Sequence, residues 1–225
     1  MGLHLYCVAP ATHLPAAGLT GVAHANIVVI VEGPLSLWVS SHEERPAADV
    51  PAIREHNAVI VAAMTPRITP VPARFGQYFA DERTALESLG TSHEKWLALL
   101  SRFEGAVEFG LRIFEPGRAG PADVDTEVTA ASGTRYMEML AARVRGTGAA
   151  AARASAALEA AVSGLVIDQR SEPLRTSHGV LTVAHLLHAS DATAYRHAID
   201  RVREELPGLR LLSTGPWAPY SFVSE

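Results

Sequence analysis

A stretch of strict alternation in the middle of the chain constrains the fold most. Apolar residues at Val107, Phe109, Leu111 and Ile113 alternate there with Glu108, Gly110 and Arg112. Successive side chains of a strand point to opposite faces, so a period of two predicts a strand with one buried face and one solvated face. A chain with such a strand has to build a sheet and cover one side of it.

Six further segments have the composition of strands. They run from Leu3 to Ala9, Asn26 to Val31, Leu35 to Ser40, Ile68 to Val71, Val166 to Gln169 and Leu209 to Leu212. Gly33-Pro34 is a turn signal, so the second and third segments are predicted to pair as a hairpin, with Trp38 facing the core. A nearly continuous apolar run from Val180 to Leu187 indicates a central strand covered on both faces.

Four helical segments separate these strands. Asp49 is predicted to cap a helix that has Pro51 in its first turn and buries Ile53, Val59, Ile60 and Ala63. Asp81 is predicted to cap a long helix, and Ser190 or Asp191 a last one. Between them, Ser132 to about Gly164 forms a long alanine-rich stretch, and alanine has the highest helix propensity.

The order of elements predicts an α+β protein with two domains. Residues 105–225 follow the order β, long α, β, β, α, β, which is the split arrangement of ferredoxin-like folds, with antiparallel sheets and packed helices. Residues 1–104 are interpreted as a modified ferredoxin-like domain, and the aromatic tail is assigned to the second domain.

Composition excludes several classes of protein. The 225 residues are 48% hydrophobic and have a formal net charge of −5, which is typical of a globular protein and argues against a nucleic-acid partner. A lone cysteine, Cys7, excludes an intrachain disulfide. No apolar run approaches the roughly 18 residues of a membrane span, and no signal peptide is recognised. We therefore expect a soluble cytoplasmic protein.

Three segments carry a resemblance to a known family. They are Leu3-His4-Leu5-Tyr6-Cys7 at the start, Pro70-Val71-Pro72-Ala73-Arg74-Phe75-Gly76-Gln77-Tyr78-Phe79 after a helix containing His56, and Thr214-Gly215-Pro216-Trp217-Ala218-Pro219-Tyr220-Ser221-Phe222 at the end. Together these resemble the gas vesicle GvpF/GvpL family over nearly the whole chain. Cys7 and Ala218 depart from the family pattern, which has glycine and proline there, and Ala73 stands where larger residues are common.

The resemblance implies a function in assembly rather than catalysis. Members of this family are needed to build gas vesicles, which are protein-walled, air-filled organelles of the cytoplasm. They are thought to contact the shell protein GvpA and other accessory vesicle proteins, and none is known to us as an enzyme. The resemblance also implies a two-domain protein with a ferredoxin-like first part.

Eight motif residues are candidates for structural or partner-contact roles: Arg74, Phe75, Gly76, Phe79, Trp217, Pro219, Tyr220 and Phe222. Two interpretations stay open for each group. Arg74 can pair with a carboxylate while Phe75 fills the core, or both can contact a partner. The tail can fold back with Trp217 covering the sheet, or its aromatic side chains can enter a partner's groove.

No motif points to catalysis, a cofactor or a metal. His185 and His188 are three residues apart on a predicted strand and so lie on opposite faces, which is poor metal geometry. His56 follows Glu55, but adjacent helix residues point apart. No catalytic, cofactor-binding or metal-binding residue is therefore assigned. A small-molecule sensor or an enzyme on a ferredoxin-like scaffold is the alternative, because that scaffold supports many functions.

Overall fold

The computed structural model describes residues 1–115, 149–172 and 179–223. Within these residues the fold is α+β, with two antiparallel sheets and five helices, which confirms the predicted class. The chain forms two compact units: unit 1 contains residues 1–108 and 216–225, and unit 2 contains residues 109–215. The tail thus belongs with the first unit by its contacts, whereas the sequence had assigned it to the second domain.

The sheet of unit 1 is built around the first strand. Its strands are β1 (Gly2–Pro10), β2 (Val28–Glu32), β3 (Leu35–His42), β4 (Val71–Pro72) and β5 (Tyr78–Phe79). They follow the order β2-β3-β1-β4, and β5 also pairs with β1. The predicted hairpin is confirmed, because Glu32 pairs with Leu35 across Gly33-Pro34. The predicted edge strand over residues 68–71 is shorter in the structure. Strand β4 begins at Val71 and ends at Pro72, one residue beyond the predicted end.

Three helices complete unit 1: α1 (Val50–Ala63), α2 (Glu82–Thr91) and α3 (His93–Arg102). Both N-caps predicted in this unit are present, since Asp49 Oδ1 accepts from the Ala52 N–H and Asp81 Oδ1 from the Thr84 N–H, each at 2.8 Å. The cap predicted for the last helix, Ala192–Glu205, differs, because Asp191 stands at its N-cap position without a side-chain hydrogen bond. The single long helix predicted after Asp81 is wrong. It breaks at Ser92, whose ψ of 20° is outside the helical range, just after Gly90 and the β-branched Thr91.

Helix α1 buries a different set of residues from the predicted one. Val59, Ile60 and Ala63 pack on Tyr6 and Trp38 as expected. Ile53, however, is 45% exposed, and the buried positions one turn apart are Ala52 and His56. The inward stripe is therefore rotated relative to the prediction, because a buried histidine replaces an apolar side chain in the core.

Unit 2 contains the second sheet, with the order β7-β8-β6-β9. The strands are β6 (Ala106–Phe114), β7 (Val166–Glu172), β8 (Gly179–His188) and β9 (Arg210–Trp217), so β6 and β9 each have residues in both units. Strand β8 has the predicted interior position. Strands β7 and β9 are longer than predicted: Arg170 lies in β7 rather than in a turn, and β9 continues to Trp217.

Unit 2 also contains two helices with buried residues, α4 (residues 149–162) and α5 (Ala192–Glu205). Phe109, Leu111 and Ile113 are fully buried, which confirms the apolar face of β6. Leu158 and Val162 of α4 are buried as predicted. The rest of the predicted long helix, from Ser132 to Gly148, lies outside the described residues. None of the described helices has the length and hydropathy that a membrane span requires.

The cap of α1 generates a stability prediction. Asp49→Ala leaves the Ala52 N–H without its acceptor and should lower the free energy of unfolding by about 1 kcal/mol, measured by urea denaturation. Asp191→Ala is the matched control, because Asp191 precedes α5 without a side-chain cap hydrogen bond and should change stability by less than half as much. Equal losses in the two variants would contradict the assignment.

Candidate contact surface

The second and third motif segments meet on helix α1, although they are separated by more than a hundred residues. Ala218 of the tail is buried in the same apolar cluster as Tyr6, Trp38 and Ile60, and Phe75 and Tyr220 pack against that cluster. Beside this contact lies an open cleft of about 380 Å³. It is lined by Ile53, Arg54, His56, Asn57, Phe75, Trp217 and Tyr220. We call these residues the α1 cleft.

The tail is held by several of its own residues. Gly215 has φ of +125°, and Ala218, Pro219 and Phe222 are buried. The Tyr220 hydroxyl donates to Asn57 Oδ1 at 3.3 Å, and Tyr220 to Phe222 form a short 3-10 turn. Burial raises the pKa of the Tyr220 hydroxyl, so this group stays a neutral donor.

A buried carboxylate anchors the end of the tail. Glu108 accepts from the Ser221 N–H at 2.8 Å through Oε2 and from the Ser221 hydroxyl at 2.7 Å through Oε1. The alternation of β6 had placed Glu108 on a solvated face, but the residue is only 7% exposed. The prediction is wrong at this position because Ser221 of the tail supplies two hydrogen-bond donors to the carboxylate.

The loop between β4 and β5 holds the second motif. Its backbone is fixed by hydrogen bonds from the Ala73 N–H to the Tyr6 carbonyl, at 2.8 Å, and from the Leu5 N–H to the Gln77 carbonyl, at 3.0 Å. Gly76 has φ of +89°, a conformation that a residue with a Cβ rarely adopts, which explains the glycine. The loop consequently holds Phe75 against α1.

Under the cleft lies a pair of buried imidazoles. His56 Nε2 is 2.9 Å from the Ala73 carbonyl oxygen, which can only accept, so Nε2 carries the proton and Nδ1 is an acceptor. His4 Nε2 lies 2.9 Å from that Nδ1 and therefore donates to it. This relay, which we call the His4–His56 relay, joins β1 to α1 and α1 to the motif loop.

The relay is held in its neutral form. Burial, with the nearby His56 and His42, lowers the pKa of His4 to about 4. Burial also lowers the pKa of His56, against the hydrogen bond to Ala73. His4 Nδ1 has no hydrogen-bond partner among the described residues, so a proton there would create an unpaired buried charge.

The eight candidate residues divide into buried and accessible ones. Pro219 and Phe222 are buried, and Phe75, Phe79 and Tyr220 are partly buried. Arg74, Gly76 and Trp217 are exposed, and Trp217 retains 39% of its accessible area. Phe79 lies in β5 and does not line the cleft. Trp217 is thus partly covered, and the buried tail residues are Ala218, Pro219 and Phe222.

Sequence reasoning missed the residues that complete the cleft. Ile53 was assigned to the core, Asn57 was not singled out, and Arg54 had no assigned role. Their helical spacing gave a signal, because Ile53, Arg54 and Asn57 share one face of α1 once His56 is placed inside.

His185 and His188 do lie on opposite faces: His185 is buried and its Nδ1 is 2.7 Å from the Tyr195 hydroxyl, whereas His188 is exposed. Residues 1–115, 149–172 and 179–223 contain no cluster suited to a metal ion.

Comparison with known proteins gives concordant results. The sequence profile described as "Gas vesicle synthesis protein GvpL/GvpF" matches residues 2–224. Gas vesicle protein L of a Streptomyces species is 30% identical over 76% of this chain and 68% of its own. Gas vesicle protein F2 of Halobacterium salinarum is 26% identical over 98% of this chain and 91% of its own.

Two crystal structures share the fold. Gas vesicle protein GvpF from Anabaena superimposes with a TM-score of 0.82 at 17% identity, covering 100% of this chain and 96% of the other. GvpF from Microcystis aeruginosa gives a TM-score of 0.78 at 15% identity, covering 100% and 99%. At these identities the likeness establishes the fold.

The anchoring of the tail is testable by exchange. Glu108→Ala removes the acceptor of the Ser221 N–H and hydroxyl and should cost about 1–3 kcal/mol locally, so amide hydrogen exchange over residues 219–223 should speed up by about tenfold or more. Glu104→Ala, at an exposed neighbouring position, should leave that exchange unchanged. Unchanged exchange in Glu108→Ala would contradict the anchoring.

The relay predicts a dependence of stability on pH. His4 has its ordinary pKa of 6.5 when unfolded and about 4 when folded, so only the unfolded chain gains this proton as pH falls between those values. His4→Gln, which keeps a donor for His56, should reduce the loss of unfolding free energy over this interval by at most about 3 kcal/mol. Urea unfolding from neutral pH to about 4 measures it. The exposed His197→Gln should behave as the unaltered chain, and identical pH profiles for all three would contradict the prediction.

Proposed function

The chain belongs to the gas vesicle synthesis protein GvpL/GvpF family, and on that premise we propose that it acts in vesicle assembly by binding the shell protein GvpA and other vesicle proteins. In this proposal the protein is cytoplasmic, associates with the growing vesicle and catalyses no reaction. The α1 cleft is the contact surface.

The observation that carries the proposal is the composition of the cleft. Ile53 and Trp217 keep 45% and 39% of their accessible area on its walls, and the rings of Phe75 and Tyr220 form part of its lining. Tryptophan, tyrosine and arginine dominate the binding energy of protein interfaces, and Arg54 is present beside the rings. A short apolar segment of a partner could pack against Ile53 and Trp217, whose side chains are not covered by the rest of the chain.

The support for the cleft also comes from its rigidity. Phe75 is held by the hydrogen bonds of the motif loop, and Trp217 precedes a tail anchored at Ala218 and Ser221. Side chains already ordered before binding lose less entropy when a partner arrives. The fixed backbone of the two motif segments therefore supports the use of this cleft as an interface.

The alternative function, a sensor or an enzyme, finds less support at this site. Among the residues that line the cleft, the titratable groups are Arg54, His56 and Tyr220, and the two last are engaged in hydrogen bonds. The cleft is open and largely apolar rather than enclosed around convergent charges. Catalytic sites usually combine burial with convergent ionisable groups.

We further propose that the chain consists of two ferredoxin-like domains. The order β2-β3-β1-β4 in unit 1 and the order β7-β8-β6-β9 in unit 2 both support this, because each is the 2-3-1-4 order of a ferredoxin-like sheet. In unit 1 a loop with a short 3-10 turn at Val22–His24 replaces the first helix, which supports a modified version.

Capture of purified GvpA tests the proposed interface. Trp217→Ala should weaken the capture of GvpA by immobilised protein by about tenfold, because it removes an exposed aromatic anchor. Ile53→Asp, at the other exposed apolar residue named in the cleft, should do the same. Leu212→Ala is the matched control, since Leu212 is 41% exposed on β9 outside the cleft.

Two results would each reject one part of the proposal, either the interface or the role in assembly. Capture that is unchanged in both cleft variants would exclude the cleft as the GvpA interface. Normal vesicles, seen by electron microscopy after deletion of the gene in its own host, would exclude a role in assembly itself.

A further inference from the structure

A second surface of unit 1 lies at the free edge of its sheet. β2 is the terminal strand in the order β2-β3-β1-β4. Glu32 and Leu35 close a two-residue turn and form a hydrogen-bonded pair, so the alternation of antiparallel pairing makes Ile30–Leu37 and Val28–Val39 the next such pairs. The N–H and C=O groups of Val29 and Val31 therefore point away from β3.

Apart from Glu32 at its end, this edge lacks the devices that usually protect one. Natural edge strands carry lysines, prolines or bulges, whereas β2 reads Val-Val-Ile-Val-Glu and pairs with β3 in unbroken register. Val28 and Val31 are 49% and 52% exposed. In the part of the chain that the structure describes, no strand pairs with the outer side of β2. The backbone is thus ready to receive another extended segment.

An acidic groove adjoins the end of this strand. It has a volume of about 650 Å³ and is lined by Glu32, Glu82, Arg83, Leu86, Glu87, Gly90 and Thr91. Glu32 is the sole residue of the sheet in this lining, and all the others belong to α2. The groove therefore adjoins the turn end of β2 and lies against α2.

The charge of the groove is unbalanced. Three glutamates line it against one arginine, and Arg83 is already paired with Glu87 at 2.6 Å. Glu32 Oε2 is shielded from solvent and has no hydrogen-bond partner among the described residues. A carboxylate oxygen in that position is stabilised by a cationic donor, and none of the residues that the structure describes hydrogen-bonds to it.

The free edge of β2 and the acidic groove are connected through Glu32. Val29 packs against the α1 core, so Ile30 and Glu32 point to the opposite face of the sheet, towards α2. A residue placed opposite Glu32 on an added strand would have its side chain on this same face, about 5 Å from Glu32 at Cβ. We propose that β2 binds an extended, apolar segment of a partner protein by strand addition, and that a lysine or arginine of that segment pairs with Glu32 in the groove.

Pairing with a second copy of this chain fits less well. Antiparallel pairing of two β2 strands about Ile30 sets Glu32 opposite Val28, and β2 contains no basic residue. Shifting the pairing towards the turn brings the two Glu32 carboxylates together, which is unfavourable. Because β2 offers no basic residue to a second copy, we assign the positive charge to a different protein.

The test uses two short synthetic peptides of alternating valine and threonine, one carrying a lysine and the other a glutamate at the position opposite Glu32. Binding of each fluorescently labelled peptide to the full chain is followed by fluorescence polarisation. The lysine peptide should bind at least about fivefold more tightly than the glutamate peptide, and raising the salt concentration should reduce the difference.

Two variants separate the backbone from the charge. Val31→Pro removes an outward N–H without touching the β2–β3 hydrogen bonds and should abolish binding of both peptides. Glu32→Gln, of the same shape, should make the two peptides bind alike. Glu94→Gln, an exposed glutamate of α3 outside the groove, is the control and should change nothing. Circular dichroism establishes that each variant is folded.

Three outcomes would overturn the inference. The first is equal binding of the two peptides to the unaltered chain. The second is binding that survives in folded Val31→Pro. The third is a concentration-dependent dimer in sedimentation that Val31→Pro abolishes, which would make a second copy the occupant. None of these depends on GvpA, so the proposed function can fail or stand separately.

Discussion

The hydrogen-bonded contact between His4 and His56 is the interaction on which unit 1 depends. It joins the central strand of the sheet to the helix that covers it, and through the Ala73 carbonyl it reaches the motif loop. Both imidazoles are buried, so the relay has to be neutral and singly oriented to avoid an unpaired charge. That requirement selects one arrangement of strand, helix and loop out of the many that an apolar contact would allow.

The tail depends on the same arrangement and adds a second polar anchor. Ala218 enters the core that the relay organises, and Glu108 receives two donors from Ser221. A hydrogen bond between buried polar groups adds only modestly to the free energy of unfolding. Leaving one of these groups without its partner lowers that free energy much more. The two motif segments are therefore positioned by polar groups beneath them, and Trp217 stays exposed beside the partly buried rings of Phe75 and Tyr220.

Local signals in the sequence were sufficient for most individual elements. The alternation in β6, the turn at Gly33-Pro34 and the caps at Asp49 and Asp81 are set by neighbouring residues, and all were found in the structure. The errors share a cause in tertiary contacts. His56 replaces Ile53 in the core, and Glu108 is buried because a distant tail supplies its donors; the helix break at Ser92 is the exception, since it follows Gly90 and Thr91. A prediction from periodicity assigns polar residues to the solvent-exposed face. It does not include hydrogen-bond partners that come from distant parts of the chain.

The sequence by itself determined the class of fold, the family and the residues of the two motif segments, because these follow from local patterns and from linear spacing. Only the tertiary structure decided that α1 lies between the two segments, that Ile53 and Trp217 remain accessible beside them, and that Glu32 sits at a free edge next to the acidic helix α2. The physical reason is that burial and charge balance are properties of groups brought together from remote positions. They arise only when the whole chain has paired its strands and packed its helices.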